Sequence, residues 1–136
     1  MPKSRRIFVV EDHPTTAQAL KMYLETQGYA VTVAENVASA LKTAEDTVFD
    51  LLLCDLNLPD GTGWELMKKL AARGPVRGIA YTASGTDADI AKSQKAGFFR
   101  HLVKGCSTEE LTAVIQEALN GASATSAKRD QPKRSR

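Results

Sequence analysis

Asp50-Leu51-Leu52-Leu53-Cys54-Asp55-Leu56-Asn57-Leu58-Pro59-Asp60-Gly61 is the stretch whose reading decides the fold. Four apolar residues, Leu51 to Cys54, run straight into Asp55, and a Pro-Asp-Gly turn then stops the run. A short, continuous apolar run closed by turn residues fits a strand buried on both faces of a parallel sheet. Asp55 then stands where that strand leaves the core, either as a cap on the next turn or as a reactive group. The reactive reading is favoured, and it requires partners from elsewhere in the chain.

Those partners follow other short apolar runs. Upstream, Ile7-Phe8-Val9-Val10 ends in Glu11 and Asp12, and Pro14 suits the first turn of a helix with Ala17, Leu20 and Leu24 at helical spacing, ended by Gly28. Ala30 to Ala34 reads as a second strand. Asn36 caps a helix whose expected inner face is Val37, Leu41, Ala44 and Val48. Downstream of Gly61, Thr62 and Glu65 have capping-box spacing and open a helix with Leu66, Met67, Leu70 and Ala71 inside, broken by Gly74-Pro75. Val76 to Thr82 is a fourth strand ending in a hydroxyl. Thr86 caps an Ala-rich helix through Ala96, expected to be the loosest-packed, which Gly97 ends. Phe99 to Val103 is a fifth strand, running into Lys104. Ser107 and Glu110 open the last helix, with Leu111, Val114, Ile115, Ala118 and Leu119 inside and Gly121 expected at its end.

Five strand–helix alternations predict an α/β domain, a doubly wound parallel sheet with helices on both faces and right-handed crossovers. In such sheets ligands bind beyond the carboxyl ends of the strands, where the strand order reverses. With a strand order of 2-1-3-4-5, Glu11, Asp12, Asp55, Thr82 and Lys104 reach one rim.

Length and composition bound the function. The chain has 136 residues, 43% hydrophobic and 25% charged, which suits one ordinary hydrophobic core over residues 6–121. Residues 1–5 read as a polar arm and 122–136 as a disordered tail without apolar periodicity. Lys128, Arg129, Lys133, Arg134 and Arg136 stand against Asp130 in that tail, so residues 1–121 hold 13 of the 18 basic and 15 of the 16 acidic groups. The folded part is mildly acidic, and a nucleic-acid partner is not expected. No run is long enough to span a membrane and no signal-peptide pattern follows Met1. Cys54 and Cys106 lack metal-ligand spacing and read as reduced thiols of a cytoplasmic protein.

Three carboxylates at one rim repel, by about 4 kcal/mol per pair at ~4 Å and an effective dielectric of 20. A divalent cation removes that penalty, and oxygen ligands of this kind suit Mg²⁺. Asp55 then acts as a nucleophile forming an acyl phosphate. Lys104 neutralises the phosphoryl oxygens, Thr82 donates a hydrogen bond to one of them, and the Asn57 backbone carbonyl serves the metal. His13 reads as an exposed loop residue rather than a metal ligand. Trp64, Phe98 and Phe99 read as packing, and Ser84 either lines the entrance to Asp55 or is a plain loop serine.

The acidic pair, Asp55 with Leu58-Pro59-Asp60-Gly61, Thr82-Ala83 and Lys104 together resemble a two-component response-regulator receiver domain, a CheY-like, flavodoxin-like fold, over nearly all of residues 6–121. The resemblance implies phosphotransfer from a histidine kinase, or a histidine phosphotransfer protein, onto Asp55, with Mg²⁺ held by Glu11, Asp12, Asp55 and the Asn57 carbonyl. It implies a switch in which Thr82 moves toward the phosphoryl group and the fourth helix, fifth strand and fifth helix face a downstream protein. It implies no enzyme beyond self-phosphotransfer and autodephosphorylation. Departures are Glu11 for the usual first aspartate, His101 at the usual aromatic switch position, and Gly105 for the usual proline, so that a trans Lys104–Gly105 peptide is expected. A pseudo-receiver that binds partners without turning over phosphate is the alternative. A hydrolase is disfavoured, because no second aspartate follows Asp55 by two residues. Whether the chain is a stand-alone receiver, a phosphorelay shuttle or the receiver of a hybrid histidine kinase stays open.

Overall fold

The computed structural model describes residues 5–124, with side chains to residue 120. Strand β1 (Arg6–Val10) leads to α1 (Pro14–Thr26), β2 (Ala30–Ala34), α2 (Val37–Asp46) and β3 (Leu51–Cys54). A two-residue hairpin, β4 (Asn57–Leu58) and β5 (Gly61–Thr62), precedes α3 (Gly63–Arg73). Then come β6 (Gly78–Thr82), α4 (Asp87–Ala96), β7 (Arg100–Val103) and α5 (Thr108–Ala124). The main sheet is ordered β2-β1-β3-β6-β7 with every pair parallel. This is the expected 2-1-3-4-5 order; the hairpin, not foreseen beyond its turn, forms a separate antiparallel pair.

Period-two alternation along the central strands builds two cores. Phe8, Val10, Leu52, Cys54 and Ala80 face α2, α3 and α4, where Val37, Ala40, Leu66, Met67, Leu70 and Ala96 meet them. Ile7, Val9, Leu51, Leu53 and Ile79 face α1 and α5, against Leu20, Leu24, Leu111, Val114 and Ile115. Leu51 to Cys54 are all buried, as a strand covered on both faces requires.

Helix ends follow local chemistry. Pro14 occupies the first turn of α1. Asn36 accepts from Ser39 N at 2.7 Å, and the Thr62–Glu65 capping box is complete in both directions. Gly97 closes α4 in the left-handed region. The expected loose packing of α4 is visible in what it buries, Ser93 and Ala96 alone.

Local expectations fail at three places. Val48 is 70% exposed, because α2 ends at Asp46 and Thr47 turns the chain into an extended conformation before the next helical position. Ala71 is exposed; the buried stripe of α3 stops at Leu70, and a single methyl adds too little apolar area to prolong it. Helix α5 runs past Gly121 to Ala124, since a lone glycine costs only about 1 kcal/mol and Ala122 and Ala124 are strong helix formers. Residues 1–4 of the arm and 125–136 of the tail lie outside the described residues.

Candidate functional site

Parallel strands leave the sheet in the same direction, so whatever follows them meets at one edge. Register makes the meeting specific: Val10 pairs with Cys54, Cys54 with Ala80, and Thr82 with Val103. Backbone bonds extend the ladder one step, from Asp55 N to Val10 O at 2.9 Å and from Lys104 N to Thr82 O at 2.7 Å. Glu11, Asp55, Thr82 and Lys104 are thereby held at one rim by the sheet itself.

The Lys104 ammonium closes the group. Its Nζ lies 2.7 Å from Glu11 Oε1 and 2.9 Å from Asp55 Oδ2, with both carboxylates almost wholly buried. Burial alone would push the ammonium pKa down; the hydrogen bonds and charges of Glu11 and Asp55 outweigh it and hold the value above the ordinary lysine range. The remaining Asp55 oxygen, Oδ1, accepts a long 3.3 Å bond from Asn57 N.

Ligand oxygens of Glu11, Asp12 and Asp55 and a ring nitrogen of His13 lie within 4.8 Å of one another. Three carboxylates against one ammonium leave a formal charge of −2 before His13 is counted, which one divalent cation cancels. The buried Asp12 Oδ1 has no hydrogen-bond partner; His13 Nδ1 approaches it to 3.4 Å without bonding alignment. Three carboxylates, one of them with an unsatisfied buried oxygen, fit a hard cation such as Mg²⁺. His13 is exposed, as expected of a loop residue, yet its Nδ1 also lies 3.2 Å from Glu11 Oε2. Thr82 is fully buried and its hydroxyl has no partner either.

Gly63 and Asp60 support the site in ways that no sequence motif announces. A Cβ on Gly63 would meet the Asp55 carbonyl oxygen, Leu56 Cα and Cys54 Sγ, so the first turn of α3 passes directly beneath the loop that carries Asp55. A Gly in a helical first turn is the only sequence signal of this. Gly105 adopts φ +99°, a left-handed conformation closed to proline, whose ring holds φ near −65°, and the preceding peptide is trans as expected. Asp60, in the hairpin turn, accepts from Val37 N at 2.7 Å and Ala38 N at 2.9 Å, capping α2 from a distance. Hydrogen bonds from Ala38 and then Val37 hold its carboxyl below the usual range. Burial, with the charges of Asp55 and Glu11, pushes the Cys54 thiol far up.

His101 does not face the acidic group. Its ring is partly buried and bonded at both nitrogens, to Ser93 and to the Ser84 carbonyl.

A family model described as the response regulator receiver domain matches residues 7–116. The chain is 32% identical over 121 residues to the transcriptional regulatory protein ResD of Bacillus subtilis (strain 168), covering 89% of this chain and 50% of that protein. It thus spans about half the length of that relative. It is 33% identical to an uncharacterized 14.6 kDa protein of Leptolyngbya boryana, covering 82% of this chain and 87% of the other. Among solved structures, a CheY-like response regulator receiver domain protein from Methanospirillum hungatei superposes with a TM-score of 0.86 at 28% identity, covering 91% of this chain and all of that one. A two-component response regulator from Clostridium difficile gives 0.83 at 26% identity, covering 86% of this chain and 97% of the other. A match over so much of the chain, on a sheet wound the same way, makes this protein a member of the response regulator receiver domain family, the signalling domains of two-component systems.

Proposed function

We propose that the chain is a phosphoacceptor: a histidine kinase, or a histidine phosphotransfer protein, transfers a phosphoryl group from phosphohistidine to Asp55. The observation that carries this reading is Lys104 Nζ bound at once to Glu11 and Asp55, a cation held against the carboxylate that would react. An Asp55 oxygen attacks phosphorus as the P–N bond breaks. The imidazole leaves with the bonding pair and takes up a proton from solvent, and the new P–O bond is an acyl phosphate. Lys104 follows the charge from the carboxylate to the phosphoryl oxygens. The unpartnered Thr82 hydroxyl gains an acceptor among them. Glu11, Asp12, Asp55 and the Asn57 carbonyl would hold Mg²⁺, which when bound would supply charge neutralisation for the same oxygens.

Return to the resting state is hydrolysis of the acyl phosphate, the only catalysis the site performs. Movement of Thr82 remodels the face of α4, β7 and α5, through which a downstream protein senses the change. The setting is cytoplasmic; no described helix is long and apolar enough to cross a membrane. Gly105, with its left-handed loop, favours a second reading, an interaction module that does not turn over phosphate.

Incubation with Mg²⁺ and a small acyl-phosphate donor decides between them. Mass spectrometry is expected to show a gain of one phosphoryl group, absent in Asp55→Asn. Metal binding without any gain would establish the interaction module instead.

A further inference from the structure

A second polar cluster lies in the wall between α3, α4 and β7. Trp64 Nε1 donates to Ser93 Oγ at 3.0 Å; Ser93 Oγ lies 2.8 Å from His101 Nδ1; His101 Nε2 lies 2.6 Å from the Ser84 carbonyl oxygen. Ser93 is buried. The Ser84 hydroxyl is held in turn by the Asp89 carboxylate of α4. One chain of bonds therefore runs from the start of α3, through the middle of α4 and the edge strand β7, to the loop that follows Thr82.

Donor counting assigns the protons. A carbonyl oxygen only accepts, so His101 Nε2 carries a hydrogen. In the neutral ring Nδ1 then offers only a lone pair, so Ser93 Oγ, which accepts from the indole N–H of Trp64, directs its single hydrogen to Nδ1. One tautomer, with hydrogen on Nε2, satisfies every group. Swinging the ring out strands a buried hydroxyl and a carbonyl at once, the arrangement that buried polar groups avoid. A phenyl ring at this position makes neither bond, and a phenol bonds only through its single terminal oxygen, not from two separate ring atoms as the imidazole does.

We propose that His101, fixed as the Nε2–H tautomer by Ser93 and Trp64, is a static post rather than a rotating switch, and that it ties the loop after Thr82 to α4 through Ser84. The loop and α4 then move as one unit, and the post limits how far Thr82 travels toward a phosphoryl group on Asp55. This last consequence rests on the phosphoacceptor reading; the tautomer and the tie do not. Ser93 and His101 are positioning residues that act through Ser84.

Imidazole ¹⁵N spectra of the full chain test the post directly. A pyrrole-like Nε2 and a pyridine-like Nδ1 are expected in the resting protein, unchanged after Asp55 is phosphorylated. Ser93→Ala is expected to mix the tautomers, to shift the Trp64 indole signal, and to change the phosphoryl lifetime on Asp55 about five- to tenfold, one hydrogen bond's worth, with Mg²⁺ affinity unaltered. Trp64→Phe, which leaves Ser93 in place, is expected to weaken the tautomer bias and serves if Ser93→Ala folds poorly. Hydrogen on Nδ1, a spectrum indifferent to both variants, or a ring that becomes tautomer-averaged on phosphorylation would overturn the proposal. A wild-type chain that takes no phosphoryl group but shows the expected spectra would refute the phosphoacceptor reading alone.

Discussion

Gly63 and Asp55 are in backbone contact: a Cβ on Gly63 would sit 3.0 Å from Leu56 Cα and nearer still to the Asp55 carbonyl oxygen. The obstacle is main chain on both counts, which cannot rotate away. Gly63→Ala is therefore expected to destabilise the domain by about 1–3 kcal/mol and to lower phosphoryl acceptance on Asp55 by displacing the loop. Denaturant unfolding and the phosphoryl mass gain measure the two effects. Gly61→Ala is the comparison, since the atoms nearest its Cβ belong to side chains, those of Glu65 and Val37; a smaller loss is expected there.

Lys104 neutralises two buried carboxylates, so its removal leaves them facing each other. Lys104→Met is expected to destabilise the metal-free protein by about 2 kcal/mol and to be partly rescued by millimolar Mg²⁺. The pH dependence follows from the raised pKa. The stabilisation is complete below the ordinary value of about 10.5 and disappears as pH rises through the higher native value. Urea midpoints between neutral and strongly alkaline pH, compared with those of the variant, should converge only at the alkaline end.

The opposite sign applies to Asp60. Its carboxyl is held below 3.8 by the amides of Ala38 and Val37, so the cap on α2 is present above that pH and is lost as pH falls through the lower native value. Amide exchange at Val37 and Ala38 should accelerate in that acidic window. In Asp60→Ala the two amides should exchange fast at every pH.

Gly105 meets nothing that a Cβ would touch, so its constraint is purely the backbone angle. Gly105→Ala is expected to cost about 1–2 kcal/mol in stability while keeping the Lys104 contacts. Gly105→Pro should displace Lys104 from Glu11 and Asp55, because proline cannot adopt φ +99°. A fall in phosphoryl acceptance much larger in the proline than in the alanine variant would confirm the distinction; equal falls would refute it.

The two thiols should separate cleanly. Cys54 is fully buried beneath Asp55 and its pKa is driven far up, whereas Cys106 is partly exposed with a milder upward shift from burial and then the Glu110 charge. A thiol reagent at neutral pH is expected to modify Cys106 in the native protein and Cys54 only after unfolding.

The sequence by itself determined the strand–helix alternation and which polar residues follow each strand. These follow from hydrophobic period, caps and turn residues, all of which act within a few positions of one another. Leu51 to Cys54, apolar throughout and closed by turn residues, fit a strand covered on both faces, and parallel strands deliver their carboxyl ends to one edge. Tertiary structure alone decided the rest, because it depends on which distant groups happen to meet. Asp60 caps a helix more than twenty residues away. Val48, apolar and in helical phase, is exposed because the helix stops two residues short of it. Ser93, an unremarked polar residue in a helix, is buried between an indole and an imidazole and dictates where a proton sits. Short-range signals encode elements, whereas hydrogen-bond partners are chosen by packing.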